Sequence, residues 1–453
     1  MRRWFVALLA ACASPPSTAP APAAPAARPG SPGAAAELPP DAERHYAIWL
    51  GGAQVGTARE VERWSADGVT LSRSEAMRFL RGAAPVEIAT AIEIVADRSL
   101  APSRVTWAEA SQASRRAEAV RDAAGWLVTG AAGVRRLPAG AIPAELAPLV
   151  VRRDGRFEGR VFFPARGFVV GAGRIEPVAE RRLIAHLVLD PTGPGVAGPL
   201  APAGSSSPAA PLAPATADAT IDLGDDAMPV RVVDGEGVIA IRISAAAAAA
   251  TFAPVDLIAA TSIPLSGLPA DPPSHRVALD GDLTLPPVPG QAVAAAGAPG
   301  PTGTIELELS PRLHGGLPPG PPGPDRTREI AALVRRVHAR IAPDLAADPT
   351  SPHAAAAATS GDCTTFALAY AALAAGRAIP TLVVTGFRID GDRLVRHRWA
   401  ASWTGRAWIA VDAAFGAVPA GGDLVGLAVH DAGDVGLVAG DAALTRLRAA
   451  AWR

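Results

Sequence analysis

Lysine and asparagine are missing from all 453 residues of this chain, and cysteine occurs only twice, at Cys12 and Cys363. Each absence removes a class of chemistry. Without lysine there is no Walker-type phosphate loop and no Schiff-base enzyme. Without asparagine, a cysteine–histidine pair oriented by a third residue must use a carboxylate. Two distant cysteines cannot build a zinc cluster of the CxxC kind, and no HExxH stretch occurs. Charge of either sign is not in excess: 42 basic and 43 acidic residues leave a net −1, which argues against a large basic surface for nucleic acid. With 49% apolar residues, the chain has the material for two or three globular domains.

The N-terminus reads as an address. Met1-Arg2-Arg3, an apolar run from Trp4 to Ala11 and then Cys12 give the basic and apolar regions of a secretory signal, too short to span a bilayer as a mature helix. Leu9-Ala10-Ala11-Cys12 resembles the bacterial lipobox, which makes residues 1–12 a lipoprotein signal and Cys12 the acylated residue. The alternative is an ordinary signal peptide with an incidental cysteine. Residues 13–40 are rich in proline, alanine and serine and form a tether without a core. At roughly 0.8 kcal/mol per buried methylene, several acyl chains would hold the protein firmly at a membrane. No later apolar run reaches the ~18 residues a spanning helix needs, so the expectation is a membrane-anchored protein of the cell envelope, on the periplasmic side.

From Tyr46 onward the apolar period is two. Tyr46, Ile48 and Leu50 alternate with other residues before Gly51-Gly52, and Asp67-Gly68 separates two more strand-like runs. Residues 41–310 read as a β-rich accessory domain with a helical interruption near 138–151 and an internal linker at 191–217. His45, His186 and His275 are isolated there and carry no chemistry. A Pro/Gly segment at 311–324 forbids helix and reads as the boundary of a last domain at 325–453.

In that domain Asp325 caps a helix whose Ile330, Leu333, Val334, Val337 and Ile341 share one face. His338 beside them is structural. A second helix starts at Gly361-Asp362-Cys363, which puts the thiol in the first turn, where the helix dipole favours a thiolate. Two strands follow, Arg396 to Trp403 and Arg406 to Asp412, with Thr404-Gly405 as a two-residue turn. That register sets Trp403 opposite Arg406, Ala401 opposite Trp408 and His397 opposite Asp412, close enough to hydrogen-bond. It also puts Trp399, Trp403 and Trp408 on the His397 face, as the walls of a substrate cleft.

The stretches Gly361-Asp362-Cys363, Ile379-Pro380, His397-Arg398-Trp399 and Trp408-Ile409-Ala410-Val411-Asp412 resemble the transglutaminase-like superfamily in type and order. The resemblance covers about 325–430. It implies an α+β chain, a β-rich N-terminal accessory region followed by a papain-like or transglutaminase-like α+β core. It further implies Cys363 as nucleophile, His397 as general base and acid, and Asp412 as the orienting carboxylate. Crosslinking, deamidation or amide hydrolysis through a thioester would follow, on protein or peptide substrates in the envelope and with no cofactor or metal. The sequence departs from the family at Ala401, where a glutamate is frequent, and at Ala413-Ala414, where Pro-Thr is usual. No glutamine or tryptophan shortly before Cys363 offers a side-chain oxyanion donor, which leaves backbone amides. The rival expectation is a non-catalytic peptide-binding or assembly lipoprotein that keeps the fold.

Overall fold

Alternation of apolar and polar side chains governs the first half of the molecule. In the strand Gly68–Arg81, Val69, Leu71, Met77 and Phe79 all point inward and are buried. The strands Ala42–Leu50 and Ala53–Trp64 are joined by Gly51-Gly52, both at positive φ (58° and 77°). Such a turn matches the strand twist and selects glycine. A side chain on Gly51 would also meet the Ala260 carbonyl oxygen at 2.4 Å.

The computed structural model describes residues 38–453 except 112–113, 131–132, 190–215, 236, 268–274, 297–303, 346–351 and 433. Cys12, its signal segment, most of the tether and most of the 191–217 linker lie outside the described residues.

A fifteen-stranded sheet dominates the fold. Ala42–Leu50 sits near its middle, and the chain meanders outward from there through seven more strands to the edge strand Gly133–Leu137. It then enters the opposite edge with Ala141–Pro143, passes through the helix Ala147–Asp154 to the parallel strand Phe157–Phe163, and meanders back until Val238–Ile243 pairs with Ala42–Leu50. So many twisted strands cannot remain flat. The sheet curls until its edges face each other: Trp126 donates its indole N–H to the Ala141 carbonyl at 2.8 Å and packs edge-on to Phe162 at 5.1 Å. One apolar core fills the interior, from Tyr46 to Leu257.

The second sheet has nine strands and crosses the expected domain boundary. Its order is Gln291–Ala296, Thr304–Leu309, His275–Gly281, Leu447–Trp452, Ile263–Ser266, Arg393–Trp403, Thr381–Asp390, Leu424–His430, with Trp408–Val411 paired to the far end of Arg393–Trp403. Strands before the Pro/Gly segment therefore share hydrogen bonds with strands after it, as where Val277 faces Trp452 and Ile263 faces Leu394. Segment 311–324 is a strap lying on this unit, and the unit begins near residue 263.

Three longer helices, Thr327–Arg340, Cys363–Ala375 and Asp434–Leu444, accompany that sheet. The expectation of an α+β chain ending in a papain-like core is overturned: 54% of the described residues are strand and 17% helix, so the fold is mostly β. The helices near 327 and 363 exist as expected. What sequence periodicity undercounted is strand: the first sheet's strands run to fourteen residues, and the second sheet recruits residues 263–309 and the C-terminus.

Candidate active site

The helix Cys363–Ala375 is apolar on all sides, with every residue from Thr364 to Ala371 buried. Such a helix has no solvent face and belongs inside a layer. It packs against Thr381–Asp390, Arg393–Trp403 and Thr327–Arg340. Its start is fixed by Asp362, whose Oδ1 accepts from the amides of Thr364 (2.9 Å) and Thr365 (3.1 Å). A Cβ at Gly361 would overlap the Thr365 side chain at 2.2 Å, so only glycine lets the chain turn under the helix here. Cys363, half-buried, is thereby held at the positive end of the helix.

His397 lies in the strand Arg393–Trp403, opposite Gly386 of the neighbouring strand. Its Nε2 is 2.8 Å from Oδ2 of Asp412, both side chains being buried. The route to that contact differs from the sequence expectation. The turn falls one residue later, at Gly405-Arg406: the Thr404 amide donates to the Ala407 carbonyl at 2.9 Å, and Gly405 takes φ 95°. The Thr404 hydroxyl, accepting from the Ala407 amide at 3.0 Å, locks this alternative. Trp403 then faces Trp408 and Ala401 faces Ala410, a register two residues away from the expected one. A shift of two preserves which face each side chain occupies. Asp412 therefore still emerges on the His397 face and reaches the imidazole diagonally. Beyond Val411 it leaves the hairpin and pairs its backbone with Ala417.

Cys363 and His397 line the same cleft, and their mutual interaction shifts both groups. Burial alone would drive the proton off His397, but the adjacent Asp412 carboxylate and the thiol outweigh it and push its pKa up to about 10. The same pairing works in reverse on Cys363. Burial and the nearby Asp362 raise the thiol, the imidazolium lowers it, and the net direction is downward.

Cys363 and His397 open into a cleft of about 310 Å³. Phe415 stands at this cleft, 56% exposed, edge-on to the His397 ring at 5.6 Å and stacked on the Arg388 guanidinium at 3.3 Å. Ile258, Thr261 and Arg81 line the same cleft from outside the 325–453 segment. None of the expected tryptophans does. Trp399 is fully buried and stacks behind His397 at 6.0 Å, whereas Trp403 and Trp408 pack on each other beneath the proline strap. Their indole N–H groups donate to the carbonyls of Pro321 and Pro318, each at 2.8 Å. Ala401 is fully buried in this cluster, a place that excludes the glutamate frequent in the family.

Sequence reading gave no role to a second polar layer. Arg398 is buried behind the Cys363 helix, donating to the hydroxyls of Thr385 (3.0 Å) and Thr364 (3.1 Å) and pairing with buried Asp441. Since Thr385 accepts from Arg398, its own proton goes to His430 Nε2 at 2.8 Å, leaving His430 Nδ1–H for the Asp431 carbonyl at 2.7 Å. Burial and the Arg398 cation keep His430 neutral, its pKa pushed down to about 4. Arg398 adjoins His397 in sequence, but Asp441 and Arg81 carry no local signal: only the fold brings them here.

Residues 317–413 match the family model of the transglutaminase-like superfamily. No curated protein matches the chain. Among solved structures, a β-barrel-like protein of domain family DUF1849 from Brucella abortus is similar over 45% of this chain and 95% of its own, at 9% identity and a TM-score of 0.32. A DUF1089 family protein from Pseudomonas aeruginosa is similar over 38% and 87%, at 12% identity and TM-score 0.25. A candidate cysteine protease from Cytophaga hutchinsonii is similar over 37% and 78%, at 12% and 0.21. At such scores the structural likenesses carry no argument, whereas the family match spans the Cys363 and His397 motifs and ends one residue beyond Asp412: residues 317–413 carry the transglutaminase-like match, inside a larger folded unit.

Proposed function

We propose that this chain is a cysteine acyl-transfer enzyme with Cys363 as nucleophile, His397 as acid and base, and Asp412 as the group that orients the ring. The observation that carries the reading is that Cys363 and His397 line one cleft while the imidazole is held by the Asp412 carboxylate at 2.8 Å. The Cys363 thiolate attacks a carboxamide or peptide carbonyl, forming the C–S bond. The proton held on His397 passes to the departing amine as the C–N bond breaks, leaving a thioester and a neutral imidazole. An incoming amine or water then gives a proton of its own to His397 as it attacks, and the C–S bond breaks to restore the thiolate. Asp362 and its carbonyl occupy the amides of Thr364, Thr365 and Phe366. The Cys363 amide, an orphan of the helix start, is the donor left for the oxyanion.

The setting we propose is the cell envelope, with the lipid anchor at Cys12 and protein or peptide substrates. This rests on the N-terminal signal and on the open cleft. The test is ammonia release and amine incorporation on glutamine-containing peptides. Turnover by the intact chain, abolished in Cys363→Ala, is the expected result. Turnover that survives Cys363→Ala would contradict the proposal.

A further inference from the structure

We infer that Arg81, on the last position of a strand of the curved sheet, is a positioning residue of the active site, holding the start of the Cys363 helix through Asp362. The inference rests on the catalytic reading of Cys363 and deepens it, because it makes the fifteen-stranded sheet a working part of that site.

The two oxygens of Asp362 divide their tasks. Oδ1 caps the helix by accepting from Thr364 and Thr365. Oδ2 faces the Arg81 guanidinium at 3.5 Å, with both side chains buried. The same Arg81 Nη1 donates to the Leu345 carbonyl at 2.9 Å. Segment 342–345 is in turn bonded to the residues just before Cys363: Ala342 pairs with Ser360, Pro343 with Gly361, and the Asp344 amide donates to the Gly361 carbonyl at 2.9 Å. Arg81 thus grips the carboxylate that starts the helix and the strand that flanks its approach. Its own position is set from the other side, where the Leu80 amide donates to the Val255 carbonyl (2.8 Å) and the Gly82 amide to Asp256 (2.9 Å). That segment leads directly to Ile258 and Thr261 on the cleft wall.

Charge makes the contact functional as well as mechanical. A buried Asp362 carboxylate next to Cys363 opposes thiolate formation. The Arg81 cation helps to offset it, so losing Arg81 leaves the buried carboxylate less well balanced. Among the described residues, the charged and titratable groups around the thiol are Asp362 with Arg81, His397 with Asp412, Arg398 with Asp441, and Arg396.

The experiment is the pH dependence of Cys363 alkylation by iodoacetamide in the full chain, with thermal unfolding measured alongside. Arg81→Met should raise the midpoint by about one pH unit, close to a tenfold loss of thiolate below both midpoints. Arg81→Lys should stay near the wild type, and Arg81→Met combined with Asp362→Asn should return the midpoint, since asparagine still caps the helix. A folded Arg81→Met with an unmoved midpoint would overturn the inference, as would a double variant shifted as far as the single. If Arg81→Met does not fold, the double variant decides. A folded double variant with the wild-type midpoint supports the role, and failure of both reduces Arg81 to packing. A wild-type thiol titrating at its ordinary 9.0 would instead sink the catalytic reading itself.

Discussion

Replacing Cys363 by serine should change how stability depends on pH in a way that isolates the His397–Asp412 contact. In the unfolded chain the imidazole loses its proton near 6.5 and the thiol near 9.0. Between those values the unfolded state carries one proton on this pair. Above the lowered value at which the folded thiol loses its proton, the folded wild type also carries one, on His397, whose pKa is raised to about 10. Equal proton counts mean that the pair adds no slope to stability from there up to 9.0. In Cys363→Ser the unfolded state has no proton left above 6.5, while the folded state keeps its proton on His397 for as long as Asp412 holds it. The folded state then binds more protons, so stability falls as pH rises, by at most about 1.4 kcal/mol per unit. Part of the elevation of His397 comes from the thiol itself, so the decline should level off early, after about 2 to 3 kcal/mol. Urea unfolding of both proteins at intervals from pH 6 to 9.5 measures this, and subtracting the two curves removes the other titrating groups. A difference that does not vary with pH between 6.5 and 9.0 would mean that the folded protein does not pair a Cys363 thiolate with a protonated His397.

Other consequences can be checked independently. Asp412→Ala should slow turnover without abolishing it, because the carboxylate orients and charges the imidazole but forms no bond to substrate. Trp403→Ala should cost about 3–5 kcal/mol in urea unfolding while leaving KM unchanged, because this ring is buried under the proline strap and is absent from the cleft. A fragment beginning at Pro324 should fail to show a cooperative transition, since it lacks the strands that pair with Leu447–Trp452 and Arg393–Trp403; a fragment beginning near residue 255 should do better. Cys12→Ser should release the protein from membranes or leave its signal uncleaved, and unchanged membrane association with normal processing would remove the lipid anchor from the account.

The site was legible in sequence to the extent that it is local. Asp362 before an apolar run marks a helix start, and that alone places Cys363 in the first turn. The hairpin was legible in its parity but not in its register. Thr404-Gly405 and Gly405-Arg406 are both plausible turns, and the choice was made by the Thr404 hydroxyl, which bonds across to Ala407. A two-residue slip spares the face of every side chain, so His397 and Asp412 met despite the wrong pairing. The tryptophans were placed on the right face with the wrong environment, because periodicity says which side a ring occupies and nothing about a strap such as Pro318 to Pro321 lying over it. Fold class failed for a related reason. The strands Ile263–Ser266 and His275–Gly281 look like accessory β structure from within, and only non-local pairing, chiefly with Leu447–Trp452, joins them to the sheet that carries His397. Arg81 belongs with these long-range facts: no spacing rule links it to Asp362.

The central claim is that His397 makes a thiolate of Cys363, and the alkylation midpoint of Cys363 in the full-length protein measures it directly. The midpoint should lie below the ordinary thiol value of 9.0 and rise when His397 is replaced by alanine. A midpoint at or above 9.0 that ignores His397→Ala would contradict it.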